Sequence, residues 1–348
     1  MSGERIAIFA EGLFESRNGK AAHGLIRYGE REVVCVIDST TAGRTASEVV
    51  AYARRPVPIV AGVAEAVALG ATCIAIGVAP AGGRLPPAWK AALLESIAAG
   101  LDCEAGLHDE LRADPDLVAA AAASGARLRD LRAVPGDLST TTGEGLRAPV
   151  RIVHIVGSDC AIGKMTAALE LTDAAREAGH EAVFVATGQV GISISGWGIA
   201  VDHVIADYVN GAAERLVLEG ARRGDLLIVE GQGALQHPAY SGVTLGLLHG
   251  CTPHVLVLVH HVGMTHIDEW EHVAIPPLDE LCDLYERLVA PIRPARVAAI
   301  ALNTRRLADD GDARAAAARI ESATGRVCDD PVRFGPARLW SAVEAALP

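Results

Sequence analysis

The stretch Arg151–Thr166 reads RIVHIVGSDCAIGKMT. Six apolar-rich residues, Arg151–Val156, have the composition of a buried strand. Gly157 and Gly163 then bound a turn, and a helical stretch begins at Lys164. A strand that enters a glycine-bounded turn and leaves as a helix points successive backbone N–H groups, and the positive end of the helix, at one spot. That is a cradle for a diphosphate, with Lys164 at the terminal phosphate oxygens. The candidate cofactor-binding residues here are Gly157, Asp159, Cys160, Ala161, Ile162, Gly163, Lys164, Met165 and Thr166. Two features depart from the common nucleotide loop. Five residues rather than four separate the glycines, and Met165 stands where a Ser or Thr normally ligates Mg²⁺. A thioether is a poor ligand for that hard ion. The loop is suited to holding a diphosphate but lacks the usual metal handle. No metal site is expected.

Working outward, short apolar runs alternate with Ala/Leu-rich helical stretches along nearly the whole chain. Candidate strands are Ile6–Phe9, Val33–Ile37, Pro58–Val60, Cys73–Val78, Arg151–Val156, Ala182–Ala186, Leu226–Val229, His254–Val259 and Val297–Leu302. Candidate helices include Pro87–Ala99, Asp116–Ala123, Lys164–Ala178, Asp207–Ala221, Leu278–Leu288 and Asp312–Ala323. Strands apolar on both faces, separated by helices, predict an α/β protein with parallel sheets. With 348 residues, two domains are expected. The turn-rich stretch Val134–Pro149 divides them, giving an N-terminal Rossmann-like domain over 1–148 and a C-terminal phosphate-loop domain over 149–348.

The net charge of −12 argues against nucleic-acid partners and anionic membranes. Seven scattered cysteines without a CxxC pair, and no HExxH spacing, give no disulfide framework and no zinc motif. With no signal-peptide run after Met1, a cytoplasmic location is expected. At 50% hydrophobic residues, a homo-oligomer is expected as well.

In open parallel sheets ligands bind beyond the carboxyl ends of the strands. The segments there carry Gln189 after Ala182–Ala186, Glu230 and Gln232 after Leu226–Val229, His260 and His261 after His254–Val259, and Asn303 after Val297–Leu302. Glu230 is the candidate general base, with Lys164 and His260 as further catalytic candidates. Gln189, Gln232, His237, Tyr240 and His266 are candidate substrate contacts, and Asn303 a candidate adenine contact. Each also has a purely structural reading as a turn, cap or core residue. Cys160 lies in the loop, where packing is its expected role and a covalent acyl-cysteine the alternative. In the N-terminal half, Asp38–Arg44 and Pro80–Pro86 are candidate ligand loops through Arg44 and Arg84, yet no GxGxxG follows the first strand.

Longer stretches carry a resemblance. Gly157–Lys164, Ala186–Ile192, Gly196–Asp202 and Val229–Tyr240, with Ile37–Ser39, Gly77–Pro86 and Gly106–Leu111, resemble the DgcN-like family of D-glutamate N-acetyltransferases across nearly the whole chain. The C-terminal half is similar, more distantly, to dethiobiotin synthetases, in the Gly-x-Asp opening of the loop, the Glu-Gly pair and the late Asn. The resemblance implies acetyl-CoA as cofactor and an amino acid as the small-molecule substrate. One departure stands out. Where the family pattern carries positive charge between His260 and Asp268, this chain has Met264 and Asp268. The reaction type therefore transfers better than the substrate.

The leading expectation is acetyl transfer from acetyl-CoA to the α-amine of D-glutamate or a related amino acid, with the loop on the CoA diphosphate. The alternative is an ATP- and Mg²⁺-dependent ligase or kinase acting on a carboxylate. A non-enzymatic nucleotide-binding regulator is a third reading.

Overall fold

A computed structural model describes residues 3–78 and 83–348. The chain forms two compact units, one of Met1–Ala133 with Ile192–Ala200, the other of Val134–Gly191 with Val201–Pro348.

The first unit is built on a six-stranded parallel sheet. Its strands are β1 (Arg5–Phe9), β2 (Glu32–Ile37), β3 (Ile59–Val60), β4 (Cys73–Ile76), β5 (Asp102–Ala105) and β6 (Leu128–Asp130). Their order is β3-β2-β1-β4-β5-β6, that of the doubly wound dinucleotide-binding folds. Helices cross between the strands, and Ile6, Ile8, Ile74, Leu93, Ile97 and Leu117 are fully buried between the layers. The helix Pro115–Ser124 has a clear local origin. Asp114 caps it by accepting from the N–H groups of Asp116 and Leu117, and Pro115 sits in its first turn.

Strands β5 and β6 escaped the hydrophobic pattern because they carry charges. Arg129 pairs with Glu4 at 2.8 Å, and Arg31 pairs with Glu4 and Glu104 at 2.9 Å each. Arg31 also donates to the Ser193 carbonyl at 2.6 Å, and the Ser193 hydroxyl donates to Glu104 at 2.6 Å. This buried network ties the segment Ile192–Ala200 to the first unit although it is distant in sequence. Such a network specifies an arrangement more than it stabilises one, and losing one member leaves a buried charge unpaired.

The second unit holds β7 (Arg151–Gly157), β8 (Ala182–Val185), β9 (Leu226–Val229), β10 (Val255–His261), β11 (His266–Ile267), β12 (Trp270–Ala274), β13 (Arg296–Asn303) and β14 (Val327–Asp329). Strands β11 and β12 form an antiparallel ribbon; the other six form a parallel sheet in the order β14-β13-β10-β7-β9-β8. From β7 the chain proceeds to β8 and β9 on one side; from β10 it proceeds to β13 and β14 on the other. The topological switch point therefore lies between β7 and β10, where such sheets open a ligand crevice.

Two boundaries differ from the sequence expectation. Strand β10 continues through His260 and His261, so these are buried strand residues rather than loop residues. The units divide at Val134, ahead of most of the turn-rich stretch. The cause is Glu214, whose buried carboxylate accepts from the N–H groups of Thr142 at 2.6 Å and Gly145 at 3.0 Å and draws that stretch into the second unit. Among the described residues no helix is long and apolar enough to cross a membrane.

Candidate active site

Strand β7 ends at Gly157 and the loop turns through two left-handed residues, Ala161 at φ 53° and Gly163 at φ 112°. Gly163 then starts the helix Lys164–Glu177. The turn is held from several directions. The Tyr285 hydroxyl donates to the Gly157 carbonyl at 2.7 Å, and the Gln236 amide donates to the Ser158 carbonyl at 2.7 Å. Ser158 N–H donates to the Val259 carbonyl at 3.0 Å, and the Ser158 hydroxyl lies 2.8 Å from His260 Nδ1. The Asn303 amide donates to the Ile162 carbonyl at 2.9 Å. Lys164 is buried and its ammonium donates to the Asp159 carbonyl at 2.5 Å. Burial pulls its pKa down to about 8, against the opposing pull of Cys160, Asp159 and Glu230. An arriving anion would give this ammonium a better partner than a carbonyl.

Glu230 follows β9 and is 7% exposed. Its Oε2 accepts from the N–H groups of Thr187 at 3.0 Å and Gly188 at 3.3 Å, both beyond the end of β8. Burial nevertheless pushes its pKa up to about 7; these N–H groups and Lys164 pull it down, and Asp202 pushes it up. A carboxyl that titrates near neutrality beside a phosphate loop is suited to proton transfer. The Gln232 amide, a candidate substrate contact, donates to the Thr187 carbonyl at 2.5 Å and so braces the turn that holds Glu230.

Glycine sets the space around that carboxylate. A Cβ on Gly191 would stand 2.6 Å from Glu230 Oε2 and 3.0 Å from the Ala186 methyl. The Gly191→Ala variant is expected to keep its fold, since the substitution favours a helix. It should displace the carboxylate and lower kcat about 10- to 100-fold. Steady-state rates beside urea melts check this; a full rate would show that Glu230 does not need this position.

The remaining sequence candidates separate into two groups. His260 is buried and neutral, its pKa driven down to about 4 by burial and then by His261, and it serves as the floor under Ser158. His237 stands on the lip of the loop, with Nε2 3.9 Å from Asp159 and its ring against Tyr240 at 4.6 Å. Ligand atoms of Asp159, Cys160 and His237 lie within 4.8 Å of one another. His237 Nδ1 accepts from Ala239 N–H at 3.1 Å, which leaves Nε2 as the ring nitrogen that faces Asp159. Asp159 itself is held by the N–H groups of Cys160 and Asp268 at 2.6 and 2.8 Å. Tyr240 and His266 are exposed, and Gln189 opens the helix Gln189–Ser195.

Of the first-unit loops, Asp38 is buried and accepts from Gly12, Thr40 and Thr41, which is a structural role. Arg44 is exposed and donates to the Glu48 carbonyl at 2.8 Å. Arg84 is exposed, and residues 79–82 of its loop lie outside the described residues.

Several working residues had no signal of their own in the sequence. Tyr285 sits in the middle of an ordinary amphipathic helix, Leu278–Val289, and only packing brings its hydroxyl to Gly157. Gln236 lies within the conspicuous stretch Val229–Tyr240, which marks the region but not the residue.

With this geometry in view, the relatives can be placed. The DUF1611 P-loop domain, a domain of unknown function, matches residues 139–340, and the Rossmann-like DUF1611 N-terminal domain matches residues 39–134. The chain belongs to the DUF1611 family. A crystal structure of a DUF1611 family protein from Anabaena variabilis superposes with a TM-score of 0.92 at 39% identity, covering 99% of this chain and all of that one. A protein of Tritonibacter scottomollicae named D-glutamate N-acetyltransferase is 38% identical over 283 residues, 81% of this chain and 84% of its own length. One from a Pseudoalteromonas species with the same name is 36% identical over 274 residues, 78% of this chain and 81% of its own length. The DUF1611 assignment accounts for both sheets, with the phosphate loop in the C-terminal domain and the 3-2-1-4-5-6 strand order in the N-terminal one.

Proposed function

We propose that this DUF1611 protein is an N-acetyltransferase that moves an acetyl group from acetyl-CoA to the α-amine of a small amino acid, D-glutamate or a relative of it. The observation that carries the reading is Glu230, a buried carboxyl with its pKa raised to about 7 next to an anion-binding loop. The names of two relatives that span most of the chain support the reaction class. An α-ammonium is mostly protonated at neutral pH and must lose a proton to attack a thioester. Glu230 takes that proton, the amine nitrogen bonds to the acetyl carbon, and the C–S bond breaks; the departing thiolate takes the second proton from nitrogen, which leaves the amide and the CoA thiol.

In this reading the loop 157–164 holds the CoA diphosphate, with Lys164 on its oxygens. A pair of donors tests this. Lys164→Ala should raise the KM for acetyl-CoA at least about 10-fold, because a charge-assisted phosphate contact is lost. The loss should be clearly smaller with S-acetyl-pantetheine, which has no diphosphate and feels only the altered charge beside Glu230. Equal losses with both donors would remove the diphosphate from the loop. Release of ADP from ATP and Mg²⁺ without any acetylated amine would overturn the acetyl-transfer reading itself in favour of a ligase or kinase.

A further inference from the structure

We infer that Arg305 and Arg306, in the turn after β13, form a second anion site beside the phosphate loop, and that it receives the 3′-phosphate of a coenzyme A-type nucleotide. The inference rests on the acetyl-CoA reading and specifies how that cofactor differs from ATP or ADP at the same loop.

The turn is anchored to the loop and is rigid. Asn303 ends β13 in register with His261 of β10, and its amide donates to the Ile162 carbonyl within the phosphate loop. The Asn303 side-chain oxygen accepts from Arg305 N–H at 3.3 Å. Thr304 is buried, and both its N–H and its hydroxyl donate to the buried Asp330 carboxylate, at 2.9 and 2.6 Å. Leu307 N–H closes the turn on the Thr304 carbonyl at 2.9 Å. Arg305 and Arg306 therefore project from a fixed base two and three residues after Asn303, which contacts the loop directly.

Both side chains are exposed, and among the described residues neither guanidinium has a carboxylate within ion-pair distance. Arg326, Arg333 and Arg338, by contrast, each pair with a carboxylate. The field of the two unpaired charges reaches inward. His261 is 2% exposed, its Nε2 has no partner, and after burial the two arginines are what disfavour its protonation, apart from a backbone contact in the other sense. His261, in register with Asn303, thus lies beside the turn that carries the two positive charges.

Ligand chemistry selects the occupant. ATP carries its anionic groups in one line and depends on Mg²⁺, for which Met165 is a poor neighbour. A coenzyme A-type nucleotide branches, with a diphosphate on the 5′ side of the ribose and a separate monophosphate on the 3′ oxygen. Two anion sites flanking a nucleoside fit the branched form. Guanidinium forks suit the terminal monophosphate, which offers three oxygens and nearly two charges.

Calorimetric titration of the full chain with adenosine 3′-phosphate 5′-diphosphate and with ADP, which differ only in the 3′-phosphate, provides a readout independent of turnover. The wild type should bind the 3′-phosphorylated form at least about 10-fold more tightly, as expected for two charge-assisted contacts. The Arg305→Ala/Arg306→Ala variant should lose that preference while ADP affinity stays the same. Arg305→Lys/Arg306→Lys should recover part of it. In turnover, acetyl-CoA should outperform 3′-dephospho-acetyl-CoA only when the arginines are present. Equal nucleotide affinities in the wild type, or a preference that survives the double alanine variant, would overturn the inference. Acetyl transfer that ignores the 3′-phosphate would overturn it and leave the activity standing. A preference without any acetyl transfer would keep the anion site and overturn the activity instead.

Discussion

Replacing Glu230 with glutamine is expected to lower kcat/KM for acetyl transfer by about 10²- to 10⁴-fold, the range for losing a positioned general base. The isosteric amide keeps an oxygen for the N–H groups of Thr187 and Gly188, so the turn at the end of β8 should survive. The pH dependence identifies the group. A carboxyl with a pKa of about 7 gives a limb of kcat/KM that rises through neutrality, as the base form appears. Glu230→Gln should lose that limb and retain only the higher one that belongs to the substrate amine.

Stability should move in the opposite direction from activity. The folded pKa of Glu230 lies above its ordinary value of 4.5, so the native state binds the proton more tightly than the unfolded chain. Its contribution is most favourable below about pH 4.5 and is lost as pH rises toward 7, where a charged carboxylate must be buried. Glu230→Gln removes that cost. The variant should match the wild type in urea melts at pH 5 and exceed it at pH 8. A variant that is both active and unchanged in its pH profile would remove Glu230 from the chemistry.

The second large effect is structural. Gly231 lies next to Glu230, and a Cβ there would stand 1.6 Å from the carbonyl oxygen of Ile155 and 3.3 Å from Lys164 Cδ. Ile155 belongs to the central strand β7 and is fully buried, so no flexible side chain can yield. Ordinary overpacking costs about 1–3 kcal/mol. Pushing two backbone segments apart in the middle of the sheet should exceed that, so Gly231→Ala is expected to lose at least about 3 kcal/mol. Chemical denaturation measures it directly, and a loss under about 1 kcal/mol would contradict the close approach. The contrast with Gly191→Ala is informative. There the clashing atom is the end of a side chain, and activity rather than stability should suffer.

The two glycines show why part of the site was legible in the chain and part was not. The phosphate loop is contiguous. Its strand, its bounding glycines, its lysine and its helix occupy successive positions, so the sequence alone locates them. Glu230 was visible as a carboxylate after an apolar strand. Its near-neutral pKa was not, because that depends on burial and on N–H groups from the end of another strand. His260 was visible as a polar residue near a strand end; that the strand runs on through it and that its Nδ1 lies 2.8 Å from the Ser158 hydroxyl was not.

The chain by itself determined that this would be a two-domain parallel α/β protein with one strand–glycine turn–helix loop and a methionine after its lysine. Apolar periodicity and a run of adjacent residues carry that information. Only the tertiary structure decided which side chains brace the loop, what protonation Glu230 prefers, and that Arg305 and Arg306 stand unpaired beside it. Burial and electrostatic pairing are set by neighbours in space. Tyr285 and Gly157 are 128 residues apart in sequence, and nothing local to either one announces the hydrogen bond between them.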